Sequence, residues 1–167
     1  MTPRHMLLFG ASGLALATVL ARSHAARAVD ASFPVTHTDA QWWQMLSPVQ
    51  YQILRQQGTE APKSSPLDHE FRPGRYDCVG CGHQLFSSPA QFDSGTGWPS
   101  FWQPLAGAVI TAPDNSLFMT RTEVRCANCG GHLGHVFDDG PKPTGLRYCM
   151  NGAVLSFHLA ATWSTSQ

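Results

Sequence analysis

The chain has 167 residues, with 11 Lys and Arg against 11 Asp and Glu and only 13% charged residues. That length holds one domain around a single core. The charge balance argues against a nucleic-acid binder, which needs a basic face to neutralise phosphates, and no internal repeat or long charge run occurs.

Residues 1–28 have the layout of a secretory signal. Arg4 and His5 make a basic start, an apolar run extends from Met6 to about Leu20, and small residues surround Arg27 in Ala26-Arg27-Ala28. The run is shorter than the roughly 20 apolar residues a spanning helix needs. The expectation is cleavage and export, to a bacterial periplasm, with no membrane span in the mature protein. Three Arg and no acidic residue keep a mitochondrial transit peptide open as the alternative. The remaining 139 residues carry eight basic against 11 acidic groups, a net charge of −3 with His neutral.

Residues 29–37 read as a linker, 38–160 as the domain and 161–167 as a flexible tail. Thr38-Asp39-Ala40-Gln41 and Ser47-Pro48-Val49-Gln50 each set a hydroxyl three residues before Gln, the capping-box pattern that starts a helix. Pro48 falls at the first helical position, where its missing N–H costs nothing. The second helix is expected to reach Gln57 and stop at Gly58, with Val49, Ile53 and Leu54 on its buried side.

After Glu60, Pro, Gly, Ser and aromatic residues dominate and short alternating runs replace the helical period. Residues 119–126 put Thr120, Thr122 and Val124 on one face and Arg121, Glu123 and Arg125 on the other. Residues 153–159 put Ala153, Leu155, Phe157 and Leu159 together. The predicted fold is mainly β, with antiparallel sheets in a single domain, two N-terminal helices and a structural zinc site.

The zinc expectation comes from Cys78-Val79-Gly80-Cys81-Gly82 and Cys126-Ala127-Asn128-Cys129-Gly130. Each pair suits a tight turn that aims two thiolates at one ion, and two such turns complete a tetrahedral site for one zinc per chain. Two disulfides are the alternative in an oxidising compartment, although a bridge inside a C-x-x-C turn closes a tiny loop and restrains little. A redox pair is a third reading. No ligand is left over for an open catalytic position.

Cys149 stands apart, in Arg147-Tyr148-Cys149-Met150-Asn151 beyond a Gly/Pro-rich loop. Taken singly, a lone Cys is more often a packing residue than a nucleophile. His132-Leu133-Gly134-His135, taken singly, is likewise a structural pattern. The wider set of motifs changes both readings. Gly58-Thr59-Glu60, the two knuckles, the run from Phe92 to Phe101 through Gly97-Trp98-Pro99-Ser100, the run from His132 to Pro141, and the run from Pro143 to Asn151 occur in order. Together they resemble the methionine sulfoxide reductase B family, over roughly Thr38 to Phe157.

The resemblance implies reduction of the R epimer of methionine sulfoxide in oxidised proteins and peptides, on a mainly β fold with structural zinc. It makes Cys149 the nucleophile and Trp98 the aromatic wall for the substrate methyl group. His135 and His132 become the polar groups around the sulfoxide oxygen, and Asn151 and Arg147 the groups that position substrate or thiolate, with Asp139 orienting one of them. Thr96 departs from the many relatives that carry a resolving cysteine there, and Gly152 stands where Ser is common. With four cysteines assigned to metal, recycling of Cys149 falls to an external reductant, a thioredoxin-like protein or a small thiol. Two other functions compete: a zinc-ribbon binding module in which Cys149 is idle, and a thiol-disulfide oxidoreductase working through one C-x-x-C pair.

Overall fold

The structure is a computed structural model that describes residues 33–116 and 119–160. The expected signal segment and the tail 161–167 lie outside the described residues, as does the linker before Phe33.

Two short helices open the domain. In α1 (Asp39–Met45) the Gln41 N–H donates to Thr38 Oγ1 at 3.3 Å and the Thr38 N–H donates to Gln41 Oε1 at 2.8 Å. Helix α2 (Pro48–Gln56) repeats the device with Ser47 and Gln50 at 3.3 and 3.0 Å. Each box satisfies two N–H groups that a helix start leaves orphaned. Gln57, in the left-handed conformation at φ 56°, ends α2 one residue before the expected glycine, and the Gly58 N–H closes on the Gln52 carbonyl at 2.9 Å.

Tyr51, Ile53 and Leu54 are the residues α2 buries; Val49, expected beside them, is 53% exposed. The first turn of the helix overhangs the core, and Val49 borders an open groove instead.

Nine strands follow among the described residues. β1 (Gly74–Cys78), β2 (Gln84–Ser87) and β9 (Leu155–Leu159) form a sheet in the order β2-β1-β9. β3 (Gln91–Phe92), β4 (Ser100–Phe101), β5 (Val109–Asp114), β6 (Arg121–Cys126), β7 (His132–Phe137) and β8 (Arg147–Met150) form a second, in the order β3-β4-β8-β7-β6-β5. Every pairing is antiparallel. An aromatic cluster joins the sheets: Phe86 of β2 stacks on Phe101 of β4 with centroids 4.3 Å apart, and Tyr76 of β1 meets Phe101 edge-on at 5.0 Å. All three rings are fully buried, each worth about 1.5–3 kcal/mol of burial by analogy with other large apolar side chains. No helix among the described residues is long and apolar enough to cross a membrane.

Two strand expectations change in detail. The strand expected from residue 119 begins at Arg121, and its polar/apolar alternation does not separate core from solvent. Glu123 and Val124 are both buried, because β6 lies inside the sheet and Glu123 faces a buried His132. At 153–159, residues Gly152–Val154 form a 3-10 turn and the strand starts at Leu155. The Glu60 carboxylate accepts the Gly152 and Ala153 N–H groups at 2.5 and 2.9 Å, which removes both amides from any ladder. Leu159, at the far end, is exposed.

Gly134 allows β7 and β8 to come together. A Cβ built there would lie 2.1 Å from the Cys149 carbonyl oxygen, closer than any side chain can sit. The absence of a side chain in the middle of His132-Leu133-Gly134-His135 thus sets the distance between the histidine and cysteine strands.

Candidate active site and metal centre

Strand register builds the site. Ser100 pairs with Cys149 across β4 and β8, Cys149 with His135 across β8 and β7, and His135 with Glu123 across β7 and β6. Residues directly opposite on neighbouring strands project to the same face, so these four side chains stand in one row. Beside the row is a cavity of about 150 Å³ lined by Thr59, Trp98, His135, Phe137, Cys149 and Asn151, among others. Cavities for whole cofactors run to several hundred Å³. This one takes the end of a side chain.

Trp98 is held from outside the sheets, its Nε1–H donating to the Glu60 carbonyl at 3.2 Å. Asn151 has both ends of its amide engaged: Oδ1 accepts the Glu60 N–H at 2.9 Å and Nδ2 donates to the Leu133 carbonyl at 3.0 Å. Glu60 is therefore the clasp that ties wall, turn and strand together.

Burial pushes the Cys149 thiol above its ordinary range, opposed by the Thr96 hydroxyl and the Arg147 guanidinium. Thr96 Oγ1 lies 3.9 Å from Cys149 Sγ, so this hydroxyl adjoins the sulfur. Arg147 grips Asp139 through two parallel bonds of 2.8 Å and lies 4.4 Å from the Phe137 ring centroid. Asp139 is the exposed partner of that pair and does not line the cavity.

The two histidines are differently placed. His135 Nε2 bonds Asp114 Oδ2 at 2.8 Å, and Asp114 also receives Arg121 at 2.7 Å. Burial lowers the His135 pKa and the Asp114 hydrogen bond partly restores it. A neutral His135 that donates to a carboxylate carries its proton on Nε2, leaving Nδ1 as the acceptor. His132 is buried behind it, the two rings meeting edge-on at 5.3 Å. Its Nδ1 bonds Glu123 Oε1 at 2.7 Å, while its enclosed Nε2 has no protein partner among the described residues. Burial works against ionised Glu123, but the His132 hydrogen bond and charge hold its pKa below the usual carboxylate value.

The residues singled out from sequence thus separate into groups. Trp98, His135, Cys149 and Asn151 meet at the cavity, His132 backs it, and Arg147 and Asp139 pair at its edge. Asp114, Glu123 and the clasp role of Glu60 were not foreseen. Glu123 looked like one charge in an alternating strand, and Asp114 carries no local pattern. Only register brings them to the histidines.

The four knuckle sulfurs lie within 4.8 Å of one another, with Cys78 and Cys129 3.8 Å apart and Cys81 and Cys126 3.6 Å apart. None of these cysteines is disulfide-bonded. Four sulfurs at the usual ~2.3 Å from a tetrahedral ion stand ~3.8 Å from each other, so the spacing fits a metal centre. The hydrogen bonds among them, those of Cys126 foremost, favour ionising Cys81 and oppose ionising Cys78. A divalent cation would relieve that conflict. Gly82 and Gly130, at φ 70° and 67°, make the turn after each pair, a backbone region open to glycine at no steric cost.

Residues 46–159 match the SelR domain family. The chain is 52% identical over 124 residues to peptide methionine sulfoxide reductase MsrB of Agrobacterium fabrum, covering 74% of this chain and 92% of the relative. It is 57% identical over 122 residues to the protein of that name from Thiobacillus denitrificans (72% and 92%). To that of Leptospira interrogans it is 51% identical over 127 residues (75% and 97%). The family match and these relatives make the chain an oxidoreductase of the methionine sulfoxide reductase class, to which its clustered knuckle cysteines and cavity-lining Cys149 conform. The chain belongs to the SelR domain family.

Proposed function

We propose that the protein reduces the R epimer of methionine sulfoxide, in oxidised proteins and peptides, through Cys149. The observation that carries this reading is the cross-strand pair of Cys149 and His135 opening on a small cavity walled by Trp98. The substrate methyl rests on the indole, the sulfoxide oxygen turns to the histidines and the sulfur meets Cys149. Three fixed walls around a chiral sulfur admit one hand of the sulfoxide.

Arg147 and Thr96 favour the thiolate that burial opposes, and the thiolate attacks the sulfoxide sulfur as the oxygen takes up a proton. The oxygen passes to the Cys149 sulfur, methionine leaves, and Cys149 becomes a sulfenic acid, oxidised by the two electrons that methionine gains. Thr96 cannot resolve it by forming a disulfide. Two external thiols, from a thioredoxin-like protein or a small-molecule pool, then return the thiol and release water and a disulfide. The four knuckle cysteines hold one structural zinc per chain, which fixes the fold and takes no part in these steps. Export to a periplasm follows from the segment 1–28 alone. A zinc-ribbon binding module would have no use for the cavity at Cys149. Peptides carrying the separate epimers, assayed with dithiothreitol, test the reading: the R epimer is consumed and the S epimer is left.

Protonated His135 delivers the proton, so activity falls as pH rises through its pKa. Asp114 raises that pKa and Arg121 lowers it. Asp114→Asn removes the raising charge and keeps the lowering one. The alkaline limb of the kcat profile should therefore move to lower pH in this variant. An unmoved limb would assign proton delivery to another group, His132 first.

A further inference from the structure

A groove of about 690 Å³, larger than the reaction cavity, lies beside it. Thr59 lines both, and Gly152 of the groove directly follows Asn151 of the cavity. The partition between them is thus the pair of segments Thr59-Glu60 and Asn151-Gly152. The groove wall is mainly apolar, with Gln52 and Thr59 among its exposed polar residues. Val49, Leu67, Ala153, Leu155 and Phe157 supply the apolar part. Several of the polar lining groups already have partners: the Glu60 carboxylate accepts the Gly152 and Ala153 amides, Ser64 Oγ donates to the Ala61 carbonyl at 2.7 Å, and Ser65 Oγ accepts the Leu67 N–H at 3.2 Å. Val49, at 53% exposure, is an aliphatic residue left open at its edge.

We infer that this groove binds an apolar side chain flanking the methionine sulfoxide in a polypeptide substrate; the inference rests on the reductase reading of the neighbouring cavity. A cavity of 150 Å³ takes the end of the sulfoxide side chain, which leaves the substrate main chain at its mouth. An extended chain advances about 3.3 Å per residue, so a neighbour one to three residues away crosses the Thr59 partition. The occupant's chemistry follows from the lesion. Methionine is a core residue, and its sulfoxide disrupts the packing around it, so the chain presented for repair exposes apolar neighbours. A mainly apolar groove, whose Glu60 carboxylate is occupied by two backbone amides, suits that segment better than a polar metabolite. Free methionine sulfoxide would leave it empty.

The experiment compares peptides carrying a single methionine R-sulfoxide with Leu or Asp at each of three positions on either side. N-acetyl methionine R-sulfoxide amide serves as the compound too short to reach the groove. With the full chain, Leu should exceed Asp in kcat/KM by about tenfold or more at one or more positions, mainly through KM, as expected for burying one aliphatic side chain. Val49→Asp should collapse that preference to about twofold or less. Its carboxylate falls on an exposed position in the first turn of α2, where the helix dipole accepts it, so folding is not at stake. A Leu-to-Asp ratio under about threefold at every position, or one that Val49→Asp leaves intact, overturns the groove assignment while the capped amide is still reduced. A capped amide that is not reduced refutes the reductase reading, and the groove with it.

Discussion

Cys149→Ser should abolish sulfoxide reduction, lowering turnover by a factor on the order of a thousand or more, with fold and metal content unchanged. A serine hydroxyl stays protonated at neutral pH and is a far poorer nucleophile toward sulfur than a thiolate. The structural cost is small. Cys149 Sγ makes only weak polar contacts, among them Thr96 at 3.9 Å, and its strand is held by backbone pairing to β4 and β7. Circular dichroism and metal analysis should not separate variant from parent, while a dithiol-supported assay should. Near-normal turnover in Cys149→Ser would move the chemistry to another group.

Replacing a knuckle cysteine should act in the opposite way, through the fold. Cys78 ends β1 in the three-stranded sheet and Cys126 ends β6 in the six-stranded one, so the cluster cross-links the two sheets. Apparent binding energies of about 10–16 kcal/mol for structural zinc equal or exceed the 5–15 kcal/mol that stabilises an ordinary domain. If the cluster holds one zinc as proposed, Cys78→Ser or Cys126→Ser should lose that metal and cooperative unfolding together, and a strong chelator should do the same to the parent chain. The measurements are metal per chain by plasma mass spectrometry and thermal unfolding. A metal-free protein with full activity and an undiminished melting transition would contradict the assignment.

Local chemistry in this chain is legible where the residues that act are close in sequence. Both capping boxes sit where Thr38 and Ser47 precede Gln by three, and each knuckle glycine adopts the left-handed turn its position calls for. Legibility fails where a partner comes from a distant strand. Asp114 and His135 are 21 residues apart and Glu60 and Gly152 are 92 apart, so no local spacing announces either contact. Val49 misled because helical period reports which face a residue is on, not whether the core extends beneath that turn. The start of β9 was displaced for a related reason: an apolar alternation continues through Ala153, but a carboxylate from residue 60 holds that stretch in a 3-10 turn. The candidate site was read mainly through ordered motifs. Register then explains the motif His132-Leu133-Gly134-His135, whose glycine admits the Cys149 strand and whose second histidine stands opposite the thiol.

A single-turnover experiment with each sulfoxide epimer and no thiol tests the central claim most directly. The R epimer should yield one methionine per chain and then stop. Mass spectrometry should find one added oxygen on Cys149, trapped by dimedone, and no disulfide within the chain. The S epimer should yield no methionine and leave Cys149 reduced. Methionine released from the S epimer, or an R-epimer burst that leaves Cys149 unmodified or bridged to a knuckle cysteine, would contradict the account.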